Sequence, residues 1–79
     1  MGIYLKDLPD GAHLITIVYV EARDSFIGKL EDGTLISFGF KALTIPCVGD
    51  HVRVLQKTGS QMLVQGTRIY RLNKPRASP

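Results

Sequence analysis

"FIGKLEDGTLISFGF", residues 26–40, is the stretch whose reading decides the fold. Asp32-Gly33 lies between two alternating runs. That is the signature of a two-residue hairpin loop, because a type I′ turn requires positive φ at both central positions. Such a turn pairs Glu31 with Thr34, Leu30 with Leu35, Lys29 with Ile36, Gly28 with Ser37 and Ile27 with Phe38. One face then holds Ile27, Lys29, Ile36, Phe38 and Phe40. The other holds Phe26, Gly28, Leu30, Leu35, Ser37 and Gly39. The first is the better core face, which leaves Phe26 on a face gapped by glycines and a serine. Glycines inside strands mark sharp coiling or the close approach of another backbone.

On the N-terminal side, "LKDLPDGAH" is broken by Pro9 and by the turn dipeptide Asp10-Gly11. "HLITIVYVEA", residues 13–22, is rich in β-branched residues and reads as one long, bent strand. On the C-terminal side, "KALTIP" is too short for a full helix and is stopped by Pro46. It predicts a single helical turn near 41–45. Gly49-Asp50 then launches a strand with Val52, Val54 and Gln56 on one face and His51, Arg53, Leu55 and Lys57 on the other. A three-residue loop at 58–60 pairs Val54 with Val64 and Arg53 with Gln65, which keeps apolar residues opposite one another. "QMLVQGTRIYRLN", residues 61–73, reads as a long last strand with a bulge or corner at Gly66. The bulge leaves open which way Arg68, Ile69, Tyr70 and Arg71 face.

The expected fold is therefore all-β: a small five-stranded barrel, OB-like or alternatively SH3-like, over residues 1–74, with a polar tail at 75–79. Seventy-nine residues allow one domain. The apolar content of 44% is too high for a disordered chain. One cysteine, Cys47, excludes an intramolecular disulfide, and with only His13 and His51 beside it there is no Cys/His zinc set. Cys47 reads as a small buried hydrophobe, and both histidines as surface residues. The lack of disulfides, of a basic-then-apolar leader and of a long apolar run points to a cytoplasmic protein with no membrane partner.

Charge is divided unevenly. Residues 1–40 carry three basic and six acidic side chains, net −3, whereas residues 41–79 carry seven basic and one acidic, net +6. A split of this kind suggests an acidic partner for the basic half, with nucleic acid the commonest one. Nothing points to catalysis: there is no phosphate loop, no zinc-protease helix and no nucleophile elbow. The carboxylates Asp7, Asp10, Asp24, Asp32 and Asp50 lie at turns, where they cap backbone groups. The chain therefore reads as a non-enzyme without cofactor or metal. Its binding candidates are Arg53, Lys57, Arg68, Arg71 and Lys74 for phosphates, with Tyr70 and, less directly, Phe26 for base stacking.

Two resemblances bear on these residues. Glu31-Asp32-Gly33, Val48-Gly49-Asp50, Val52 and Val54, Arg71-Leu72-Asn73 and Lys74-Pro75 fall in the order seen in the N-terminal OB domain of small-subunit ribosome-assembly GTPases with a circularly permuted GTPase domain. The chain resembles that domain from Gly28 to Pro75, with no GTPase domain following. The resemblance implies an RNA- or ribosome-facing OB module. Separately, Gly59-Ser60, Met62, Arg68 and the basic tail are similar to the C-terminal hairpin of the filamentous-phage single-stranded-DNA-binding proteins. That resemblance implies DNA as the ligand and a symmetric homodimer. The expected function is single-stranded DNA or RNA binding with little sequence preference. The alternative is a protein–protein adaptor of phage or plasmid type docking on a host complex through its acidic half and exposed Phe26 and Leu35.

Overall fold

A computed structural model describes residues 3–58 and 60–73. It is almost entirely β. The strands are β1 (Ile3–Tyr4), β2 (Gly11–Ala22), β3 (Ser25–Leu30), β4 (Leu35–Gly39), β5 (His51–Lys57), β6 (Ser60–Gln65) and β7 (Arg68–Asn73), with a 3-10 turn at Leu5–Asp7. They form one sheet in the order β1-β4-β3-β2-β5-β6-β7. β1 runs parallel to β4 and every other pair is antiparallel. No helix is long and apolar enough to cross a membrane among the described residues.

The sheet curls into a half-barrel because of β2. Its first half pairs with β5 and its second half with β3, and Ile15 and Thr16 pair with both. Two register shifts, between Ile17 and Tyr19 and between Val20 and Ala22, insert extra residues into β2 alone. Bulges of this kind bend a strand and tighten its twist. Gly28 supplies the room. A Cβ there would collide with the Ile15 side chain and come within 3.2 Å of the Phe38 ring. The expected close approach at a strand glycine is thus found at Gly28.

The core is Leu8, Ile15, Ile17, Phe26, Ile36, Phe38, Phe40, Val52, Val54 and Leu63. Phe26 is at its centre with 0% exposure. Its ring lies 5.7 Å from that of Phe38 and 5.2 Å from that of Phe40, both tilted. Offset contacts of this kind are worth about 1 kcal/mol each beyond burial.

Several expectations are corrected. The 26–40 hairpin pairs Phe26 with Phe38, Gly28 with Ile36 and Lys29 with Leu35, one residue away from the expected register. The Leu30 carbonyl accepts from the Gly33 N–H at 2.9 Å, and the Thr34 carbonyl from the Leu30 N–H at 2.8 Å. With Gly33 at φ +91°, this is a three-residue loop with a left-handed glycine rather than a two-residue turn. The slip exchanges the faces of β3 alone, burying Phe26 and turning Lys29 outward, while Ile36, Phe38 and Phe40 stay on the core side as expected. In the β5–β6 hairpin Val54 pairs with Leu63 and Lys57 with Ser60, again one residue from expectation. Gly66 is not a bulge. It and Thr67 form a two-residue loop between separate strands, with Gln65 opposite Arg68. Positive φ at Gly66 alone, +61°, matches a type II′ turn. Seven strands therefore replace the expected five. No helical turn forms near 41–45, and Cys47 is exposed rather than buried.

Candidate nucleic-acid interface

Strand pairing sorts the outward side chains into rows across the sheet. Tyr4, Ser37, Ile27 and Tyr19 form one row over β1, β4, β3 and β2. Leu35, Lys29, Thr16 and His51 form the next. Then come Leu14, Arg53, Val64 and Ile69, and after them Ala12, Leu55, Met62 and Arg71. Lys57 and Ser60 end the series. Adjacent rows lie two residues apart along each strand, or about 7 Å, except in β2, where the bulge sets Thr16 and Tyr19 three apart.

Each of the last four rows holds one lysine or arginine: Lys29, Arg53, Arg71 and Lys57. None of their paired positions is a carboxylate. All four cations are exposed. Between them lie the partly buried Leu14, Leu55, Met62 and Val64 and the 65%-exposed Ile69, so the surface is basic and apolar together. In the first row Tyr4 is 60% and Tyr19 56% exposed. Acidic groups border the face at its turns. Glu31 and Asp32 sit beside Leu14, and the Asp10 carboxylate accepts from the Thr58 hydroxyl at 3.1 Å.

Two turns hold the face in place. The Asp32 carboxylate accepts from the Thr34 N–H at 2.9 Å. That bond, with a further contribution from the Thr34 hydroxyl, holds Asp32 below the usual carboxylate range. At Val48-Gly49-Asp50, Gly49 takes φ +98° and its N–H donates to the Ile17 carbonyl at 2.8 Å. The Ile17 N–H donates back to the Asp50 carbonyl at 2.8 Å, while the Asp50 carboxylate accepts from the Cys47 N–H at 2.9 Å. This turn sets the start of β5, and hence Arg53, against β2.

The expected site residues are divided by the structure. Arg53, Lys57 and Arg71 share the outward face. Arg68 lies opposite Gln65, on the core-facing side of the β6–β7 hairpin, although its side chain is exposed. Phe26 is sealed in the core and has no face for a base. Tyr70 lies opposite the buried Leu63 and packs against the core. Its hydroxyl donates to Gln65 Oε1 at 3.1 Å and accepts from the Leu43 N–H at 3.2 Å. Its ring is thus engaged in core packing and its hydroxyl in the fold. Lys74 lies outside the described residues. Sequence reasoning missed Lys29, Tyr4 and Tyr19. A pairing that put Lys29 and Ser37 on one face and all three phenylalanines on the other was the signal for Lys29.

Among the described residues, no group of three or more His, Cys, Asp or Glu side chains is placed to hold a metal ion. The histidines are engaged in local hydrogen bonds, His13 Nε2 with the Pro9 carbonyl at 2.7 Å and His51 Nδ1 with the Thr16 hydroxyl at 3.0 Å. No family model, curated protein or solved structure matches the chain.

Proposed function

We propose that the chain is a non-catalytic module that binds single-stranded nucleic acid on the outward face of its sheet. One observation carries the reading: four successive rows each present one exposed cation, with no carboxylate among their partners. Lys29, Arg53, Arg71 and Lys57 neutralise phosphates along the strand, and counterion release supplies most of the affinity. Tyr19 replaces Tyr70 and Phe26 as the stacking residue, because its ring is open and its row adjoins that of Lys29. Base stacking on one aromatic ring contributes about 1–3 kcal/mol and tolerates any base. Phosphate contacts and stacking both ignore base identity, so sequence preference is low. The two resemblances agree on a polyanion as ligand, and a single cysteine with no disulfide partner in the chain suits the cytoplasm.

The test is fluorescence anisotropy with labelled single-stranded DNA, single-stranded RNA and duplex at two salt concentrations. The reading expects single strands to bind more tightly than duplex. Affinity should fall with salt on a log–log slope of about −0.7 for each phosphate contacted. Binding that is undetectable at low salt, or indifferent to salt, refutes it.

The adaptor reading retains one specific support. Between β4 and β5, Leu43 is 72% and Val48 64% exposed. The segment that carries them is pinned, because Gln65 Nε2 donates to the Thr44 carbonyl at 2.7 Å and Tyr70 holds the Leu43 N–H. Apolar side chains held out on an anchored loop suit a protein partner. Recovery of one host protein after nuclease treatment, lost in a Leu43→Ser variant, is the outcome that favours this reading.

A further inference from the structure

Among the described residues the half-barrel does not close. β7 is the last strand on one side, and on the other β1 covers β4 only at Ile36 and Ser37. A seam runs between these edges. At one end it is lined by Tyr4, Leu5, Lys6, Ser37, Phe38, Gly39, Gln61 and Leu72, enclosing about 400 Å³. It continues past Gly39 and Leu72 into a second groove of about 560 Å³, reached by Phe40, Lys41, Ile69, Tyr70 and Arg71. Among the described residues each contact between the two edges involves a side chain. Phe40 meets Tyr70 at one point, and Gln61 Nε2 donates to the Leu5 carbonyl at 2.7 Å at another.

An edge strand leaves alternate N–H and C=O groups without a ladder partner, which makes it a template for a further strand. Along residues 69–72 of β7 that template is about 13 Å long. It overlooks a floor of Phe38, Phe40, Tyr70 and Leu72. The charged groups that line the seam are all basic: Lys6, Lys41 and Arg71. We propose that this seam is a docking site for an extended peptide that adds to the edge of β7, with alternate apolar side chains on the groove floor and carboxylates facing Lys6, Lys41 and Arg71. Main-chain pairing supplies the affinity of such a mode, and the pockets for alternate side chains supply its selectivity.

Charge decides between occupants. A second copy of β7 brings Arg68 and Arg71 against the same arginines and lysines, and like charges across a strand pair are destabilising. A nucleic acid satisfies the cations but leaves the strand edge unpaired and the aromatic floor without alternating side chains. An acidic, alternating strand satisfies all three features. The site shares Tyr4, Ser37, Ile69 and Arg71 with the outward face, and Arg71 is the one cation the two have in common. Arg71 is therefore left intact in the test.

The test is an amide-shift titration of the full chain with a six-residue peptide alternating glutamate and valine, and with its lysine–valine counterpart. The expected result is shifts at residues 39–41 and 69–72 with the acidic peptide only, and binding about fivefold weaker in Lys41→Glu. Lys6→Glu is a second variant at an exposed position and should weaken binding to a similar degree. No shift at millimolar peptide overturns the proposal, as does equal binding of the two peptides. Shifts of the same amides by a single-stranded oligonucleotide, with the acidic peptide silent, assign the groove to nucleic acid and also overturn it. Shifts there that track protein concentration without peptide assign it to a second copy and have the same consequence.

Discussion

The ring of Tyr70 stands edge-on to that of Phe40 across the open seam, centroids 5.0 Å apart and planes at 60°. This contact joins the last strand to the end of β4 where the two backbones do not pair. It makes Tyr70 a structural residue. Tyr70→Phe keeps the ring and loses the hydroxyl bonds to Leu43 and Gln65, at a cost of about 1 kcal/mol. Tyr70→Ala also loses the packing on Phe40 and costs on the order of 3 kcal/mol. Urea denaturation measures both. Oligonucleotide affinity of folded Tyr70→Phe should equal that of the parent.

Gly28 is the tightest point of the curl. A methyl group there meets the Ile15 side chain, with the Thr16 carbonyl at 3.1 Å. Gly28→Ala should lower stability by about 1–3 kcal/mol, the usual range for overpacking. An unchanged urea midpoint contradicts the close approach of β2 and β3.

Asp32 gives a pH signature. Its folded-state pKa is depressed, first by the Thr34 N–H. Its contribution to stability is therefore complete above the unfolded value of about 3.9 and is lost as pH falls through the lower folded value. The Thr34 amide resonance should titrate with a midpoint below about 3.9. Asp32→Asn should abolish that titration while the hairpin amides otherwise stay in place.

The split between Arg68 and the other cations is testable. Arg53→Gln and Arg71→Gln should each lower the salt slope of single-strand binding by about 0.7, and Lys29→Gln should behave alike. Arg68→Gln, across the hairpin from that face, should leave the slope unchanged. Tyr19→Ala should weaken binding by about 1–3 kcal/mol with the salt slope intact.

How much of this was legible can be argued from single residues. The strand content and the Glu31-Asp32-Gly33 and Val48-Gly49-Asp50 turns were, because their chemistry is local. Registers were not. Two-residue and three-residue loops both accept Asp-Gly, and the choice between them exchanges Phe26 with Lys29. In β6, Met62, Leu63 and Val64 are consecutive apolar residues, so hydrophobicity does not select the buried one. Gln61 and Gln65 hide the register further: polarity suggests outward side chains, yet both point inward to hold carbonyls of Leu5 and Thr44. Gly66 reads as a bulge or corner within one strand because the turn there is specified by φ at one glycine alone. The cationic face needed both registers to be right. Arg53 and Lys57 follow from strand alternation, whereas Lys29 falls on the expected core face and the facing of Arg68 and Arg71 stays open.

The most direct measurement of the central claim is an amide-shift map of the full chain titrated with a short single-stranded oligonucleotide at low and at moderate salt. The account predicts shifts along the four cation-bearing rows of the outward face, at Lys29, Arg53, Lys57, Val64 and Arg71 and at Tyr19 in the row beside them, which fade together as salt rises. Shifts confined to residues 40–48 and 66–68, or none at low salt, would contradict it.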